Sequence, residues 1–124
     1  MADIESQVES LLQRAQAYQM NGNFDRALDD INELLRLEPD FPGFYVMRAG
    51  LYILKLDIDK ALADCNQAIQ MDAEYSGAYS TRGTVFNAKG DWDRALADFN
   101  KAIQLDPSDG NAWYQRGNAY ITKG

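Results

Sequence analysis

Apolar positions in this chain recur on two length scales. On the short scale they fall three and four residues apart, the period of one face of a helix. In FDRALDDINELLRLEP, from Phe24, the positions Ala27, Leu28, Ile31 and Leu35 form such a stripe between charged residues. On the long scale the whole pattern returns after 34 residues. LLQRAQAY from Leu11, YVMRAGLY from Tyr45, YSTRGTVF from Tyr79 and WYQRGNAY from Trp113 start 34 residues apart, without insertion or deletion. Each opens on a large apolar residue, has arginine three later, a small residue next and an aromatic three beyond that. The stretches from Phe24, Ile58 and Trp92 recur at the same interval, aligning Ala27, Ala61 and Ala95, then Ile31, Cys65 and Phe99.

Each unit therefore predicts two helices. The first helices are expected at about 6–20, 42–55, 76–89 and 110–123, and the second at about 24–37, 58–71 and 92–105. Turn residues support these limits. Asn21-Gly22-Asn23 and Lys89-Gly90-Asp91 supply a glycine for a left-handed C-terminal cap, followed by an Asn or Asp N-cap. Lys55-Leu56-Asp57 keeps the N-cap but has leucine in place of glycine, so this turn is either strained or different. Pro39 and Pro107 end second helices, Ala73 stands at the equivalent place, and Pro42 suits a first helical turn. Ala15, Ala49, Gly83 and Gly117 are expected opposite Ala27, Ala61 and Ala95, where small side chains let paired helix axes approach. No such hairpin buries its apolar face alone, so the units must stack.

Composition narrows the chemistry. The chain has 124 residues, a formal charge of −7, one cysteine and no histidine. Imidazole catalysis, a Cys/His zinc site and an internal disulfide are thereby excluded. The acidic balance argues against nucleic acid and against anionic membranes as partners. No stretch approaches the ~20 apolar residues of a membrane helix, and MADIESQVES does not read as a secretory signal; a cytoplasmic location is expected. No catalytic constellation, metal set or cofactor loop stands out. Asp29-Asp30 and Asp91/Asp93 read as helix-surface and capping residues, Gly22 and Gly90 as single turn glycines, Cys65 as core and Trp92 as packing. Of Trp113 and Tyr114, one is expected to be exposed.

The recurring residues resemble the tetratricopeptide repeat. Tyr79, Gly83, Phe86, Ala95, Phe99 and Pro107 match a whole repeat, and Trp113, Gly117 and Tyr120 match the first half of another. The resemblance covers about residues 8–124. It implies an all-α, right-handed superhelical solenoid of antiparallel helix hairpins, with repeats at about 8–41, 42–75 and 76–109 and a partial fourth at 110–124 within a single domain.

In that family the first helices line a concave groove that receives an extended peptide or a partner helix. The matching inward columns here are Leu12, Val46, Ser80 and Tyr114; Gln16, Gly50, Thr84 and Asn118; and Gln19, Ile53, Asn87 and Ile121. Members that bind chaperones carry a clamp of lysines, arginine and asparagines on these columns. Here there is no Lys or Arg on them, and the only asparagines are Asn87 and Asn118, which argues against an acidic chaperone tail. A neutral groove with apolar spots and amides suits an extended segment.

The chain departs from the family pattern in two places. Arginine replaces the usual leucine at Arg14, Arg48, Arg82 and Arg116, and the first three are followed sixteen residues later by Asp30, Asp64 and Asp98. This predicts an ion-pair ladder, either within each hairpin or from each Asp to the next Arg; the functional alternative is an arginine row for an anionic ligand. The second departure is the incomplete fourth repeat. Thr122-Lys123-Gly124 resembles the start of a further turn, which favours a piece of a longer protein over a lone capping helix. The expected function is non-catalytic binding of another protein. Alternatives are a regulatory or targeting domain of a larger polypeptide, or self-assembly into a homodimer through the fourth repeat.

Overall fold

The structure, a computed structural model, describes residues 3–123. The Gly124 turn read from the sequence lies outside them, as do residues 1 and 2. Among the described residues seven helices follow one another: α1 (Ile4–Met20), α2 (Phe24–Leu37), α3 (Pro42–Leu54), α4 (Ile58–Met71), α5 (Ser76–Ala88), α6 (Trp92–Leu105) and α7 (Gly110–Lys123). There is no strand among the described residues, and no described helix is long and apolar enough to cross a membrane. The chain is an all-α helical-repeat solenoid.

Its hairpins α1/α2, α3/α4 and α5/α6 share one turn. The amides of Asn23, Asp57 and Asp91 donate to the carbonyls of Tyr18, Tyr52 and Phe86 at 2.8, 2.8 and 2.9 Å. This is the long bond of a Schellman C-cap. It requires a left-handed residue in the middle, and Gly22 (φ 80°), Leu56 (φ 65°) and Gly90 (φ 76°) provide it. The second turn therefore keeps the backbone of the others, and its Cβ-bearing Leu56 is strained by roughly 1–2 kcal/mol.

The expected N-caps are corrected in part. Among the three hairpin turns only Asp91 makes a side-chain cap bond, accepting from Arg94 N–H at 3.3 Å, whereas Asn23 and Asp57 make none. These residues have ψ of 68–78°, imposed by the turn. Asp3, free of that constraint at ψ 174°, caps α1 through Ser6 N–H at 2.8 Å. Helix α4 ends like α6 without proline: Asp72 and Asp106 are both extended, and their amides donate to Ala68 and Ala102.

Small residues set the spacing between helices. Ala15, Ala27, Ala49, Ala61 and Ala95 are at most 1% exposed. A Cβ placed on Gly83 would stand 2.5 Å from Phe99 Cε1, so α5 and α6 are as close as they are because residue 83 has no side chain. Phe99, Ile31 and Leu34 are fully buried, and each cluster of core residues draws on more than one hairpin element. Helix α5 touches both α3 and α7, whereas α2, α4 and α6 make no comparable contact with one another among the described residues. First helices therefore lie on the inner side of the stack and second helices splay outside.

Candidate protein-binding surface and arginine clamps

Arg14, Arg48 and Arg82 each lie beside the second helix of their own hairpin. Arg14 Nε and Nη2 donate to Asp30 at 2.9 and 2.6 Å. Arg48 bonds Asp64 through the same two nitrogens, and Arg82 bonds Asp98, all at 2.8 Å. This two-pronged geometry matches the planar guanidinium to a carboxylate. The three aspartates are buried. Bonding to them raises the pKa of Arg14, Arg48 and Arg82 above the ordinary guanidinium value. Aromatic rings hold the inner arginines from both sides along their own helices. Arg48 lies over Tyr45 and Tyr52 at 5.6 and 5.9 Å, and Arg82 over Tyr79 and Phe86 at the same distances.

The third nitrogen, Nη1, reaches the preceding repeat. Arg48, Arg82 and Arg116 donate to Asn32, Asn66 and Asn100 at 2.9, 3.0 and 2.9 Å. A second set of braces joins helix ends: Lys55 to Asp25, Lys89 to Asp59 and Lys123 to Asp93. Sequence reasoning missed both sets. The signal was present, since Asn32, Asn66 and Asn100, like Lys55, Lys89 and Lys123, recur at 34. The arginine fork of Arg48 and of Arg82 thus ties its hairpin internally and to the preceding repeat, which leaves these two guanidinium groups without a free edge for an anion.

The columns expected to line a groove lie on α1, α3, α5 and α7. Gln16, Gln19, Tyr114, Asn118 and Ile121 are exposed; Leu12, Val46, Gly50, Ile53, Thr84 and Asn87 are half-buried. Gln16 and Gln19 border a depression of about 520 Å³ with Met20, Phe24 and Leu54. Nothing lies within 4 Å of where a Cβ on Gly50 would be, so the backbone of α3 is open there.

Ser80 differs from the expectation. It is 4% exposed, and its hydroxyl donates to its own helix at Gly77 O, 3.2 Å away. Flanked by α3 and α7, α5 is the most enclosed first helix, and Ser80 forms floor. Thr84 likewise turns its hydroxyl back, to Ser80 O at 3.2 Å. Asn87 Oδ1 is buried without a hydrogen-bond partner.

Other candidate groups fall to structural roles. Cys65 is fully buried, and burial pushes its thiol up to about 12. Trp92 is half-buried; Trp113 and Tyr114 are both exposed, where one was expected. Among the described residues no group of His, Cys, Asp or Glu is arranged to hold a metal ion.

Comparison with known proteins agrees with this architecture. Tetratricopeptide repeat models match residues 8–41 and 42–75, and a TPR repeat model matches residues 83–124. No curated protein sequence matches the chain significantly. Among solved structures, it is similar to the first TPR of Spaghetti (RPAP3) bound to the HSP90 peptide SRMEEVD. That pair shares 24% identity over 94% of this chain and 93% of the other, with a TM-score of 0.83. The Arabidopsis OM64 TPR domain is 22% identical over 97% and 99% of the two chains, TM-score 0.85. The TPR2B domain of yeast Sti1, from its pHsp70 complex, is 21% identical over 94% and 98% of the two chains, TM-score 0.83. At these identities the likeness establishes the fold alone. The seven helices, the 34-residue period and the matches over residues 8–75 and 83–124 together place this chain in the tetratricopeptide repeat family.

Proposed function

We propose that the chain is a non-catalytic interaction module that holds a segment of another protein against its inner surface. One observation carries the reading: α1, α3, α5 and α7 lie on one side of the stack, with groove columns free of charge. The arginines nearest to them are engaged by Asp30, Asp64 and Asp98, so what the surface offers is apolar area and amides. Val46, Ile53 and Tyr114 supply the apolar area, and Gln16, Gln19 and Asn118 the amides, which suits backbone bonding to an extended segment. The arginine column is scaffold in this reading rather than an anion site.

Similar structures hold peptides ending in acidic residues, such as SRMEEVD. With no cation on its groove columns, this chain is expected to select a neutral or apolar segment instead. Titration with SRMEEVD, followed by tryptophan fluorescence, is expected to show no saturable change; tight binding would overturn the neutral groove. Affinity capture tests the surface itself. Val46→Glu should lose partners retained by both the wild type and Gln104→Glu, a change on the exposed side of α6. Equal recovery with Val46→Glu would place the binding surface elsewhere. A role as the targeting domain of a larger polypeptide is compatible with the same surface.

A further inference from the structure

The loops that join one hairpin to the next border two depressions in register. Val8, Leu12, Glu38, Phe41 and Phe44 line one of about 350 Å³. Phe41, Pro42, Gly43, Asp72 and Tyr75 line the other, of about 230 Å³. They are one notch repeated, since Val8 and Pro42, Glu38 and Asp72, and Phe41 and Tyr75 each stand 34 residues apart. Each ring lies against bare backbone. A Cβ on Gly43 would stand 2.6 Å from Phe41 Cε2, and one on Gly77 3.0 Å from Tyr75 Cε1, so glycines two residues on let the rings fold down there. Each notch also has a carboxylate. Asp72 Oδ1 accepts from Glu74 N–H at 3.0 Å, and burial, then the Asp72 charge, raises the Tyr75 phenol above its ordinary range. At the third such place Asp109 replaces the ring and accepts from Ala112 N–H at 3.1 Å.

We propose that this edge is a second docking site, which takes an extended segment of another polypeptide carrying Arg-x-Arg. Charge complementarity selects the occupant. Residues 37–47 and 71–81 hold Glu38, Asp40, Asp72 and Glu74 but no Lys or Arg, whereas at the hairpin turns Lys55 and Lys89 pair with Asp25 and Asp59. An arginine suits an apolar notch with a carboxylate at its rim: its stem covers apolar surface, its plane stacks on a ring and its fork meets the acid. The molecule seats its own Arg82 in this way, over Tyr79 and against Asp98. One guanidinium would lie on Phe41 beside Glu38 and the other on Tyr75 beside Asp72. Phe41 borders both notches, and side chains two apart in an extended segment point the same way about 7 Å apart. A second copy does not supply the pair, because no two basic residues of this sequence stand closer than Lys55 and Lys60 or Lys89 and Arg94. Apart from Leu12, the notches share no residue with the inner columns, so this site stands independently of them.

The probe is the capped peptide Gly-Ser-Arg-Ala-Arg-Ser-Gly, titrated into the intact protein at physiological salt and followed by amide NMR. Saturable shifts are expected at Gly43, Tyr75 and Gly77, with Gly50 and Thr84 of the inner columns unmoved. Citrulline at both arginines keeps the shape and removes the charge, and should weaken binding about tenfold. Asp72→Asn and Glu38→Gln should each weaken it about threefold, the effect of losing an exposed ion pair. Both residues are exposed, so these variants stay folded. Phe41→Ala should weaken it about tenfold, with circular dichroism verifying the fold. Asp29→Asn removes the same charge from the exposed side of α2 and should leave binding unchanged. Absence of saturable shifts at millimolar peptide overturns the proposal, as do shifts confined to the inner columns. An Asp29→Asn effect equal to that of Asp72→Asn would reduce the binding to general charge attraction and overturn it. Equal binding of a peptide with norleucine at both arginines would make the notches apolar sockets and overturn it too.

Discussion

Arg82 and Arg116 occupy the same position in consecutive repeats, and their surroundings differ in one respect. Arg82 has α6 packed over it; among the described residues Arg116 has no such helix. Both give Nη1 to an asparagine of the repeat before, and both lie over an aromatic residue of their own helix. Only Arg82 closes on a buried carboxylate. Gly83 and Gly117 differ in the same way, one tight against Phe99 and the other open. In this array a residue's role is thus set by whether its neighbour is present as much as by its type. One stripe of large apolar, arginine, glycine and aromatic residues is covered on α5 and, among the described residues, uncovered on α7.

The largest break in the comparison should come from Asp98→Ala. It leaves Arg82 half-buried without its carboxylate, and a loss of about 3 kcal/mol in urea denaturation is expected. Arg116→Ala should leave the midpoint nearly unchanged. The double variant Arg82→Ala/Asp98→Ala should lose less than the sum of its parts; additive losses would mean the pair is not a unit.

Next in size is the glycine pair. Gly83→Ala forces its new Cβ into Phe99 and is expected to cost about 1–3 kcal/mol. Gly117→Ala meets open space and gains helix propensity, so stability should rise by up to about 1 kcal/mol. If both glycines respond alike, close approach is not what Gly83 provides.

The turns extend the comparison to the second and third hairpins. Leu56 and Gly90 share the left-handed backbone, and Leu56 is 82% exposed, so its side chain packs little in return. Leu56→Gly should raise thermal stability by about 1 kcal/mol, and Gly90→Leu should lower it by a similar amount. A destabilising Leu56→Gly would show that the leucine makes a contact outweighing its strain.

The smallest effect concerns Cys65, which reports whether the second hairpin stays closed. Its thiol is pushed from 9.0 to about 12, first by burial and then by Asp64. The folded state therefore holds this proton more tightly than the unfolded chain. Stability from the neutral thiol is complete below the ordinary thiol range and falls as pH rises through it towards 12. Below that range Cys65 should react with a thiol reagent only as fast as the chain opens. Fast labelling under native conditions would mean that α4 is loosely held.

Helix limits were legible because they are written locally. Periodicity and turn residues within a few positions of each end place α2, α4 and α6 without reference to the rest of the fold, with Pro39 and Pro107 marking the ends of α2 and α6. The sixteen-residue step from Arg to Asp was legible too, but its partner was not. An aspartate on α2 is about as near in sequence to Arg48 as to Arg14, and only the crossing of the helices brings Asp30 to Arg14. The asparagine links went unread because asparagine has no obligatory partner, so its recurrence suggests nothing until Nη1 is seen to reach it. Ser80 was read as free surface because one helix's pattern cannot show how closely two others flank it.

By itself the sequence determined the helices, their order and the faces that must be covered, since a 34-residue period in register is a statement about local propensity and apolar area. The tertiary structure decided which Asp each Arg holds, that Leu56 bears a glycine's backbone, that Ser80 is floor, and that Arg48, Arg82 and Arg116 each reach an asparagine of the preceding repeat. Those outcomes depend on distances between chain segments far apart in sequence, where close packing admits one arrangement among several that the pattern alone allows.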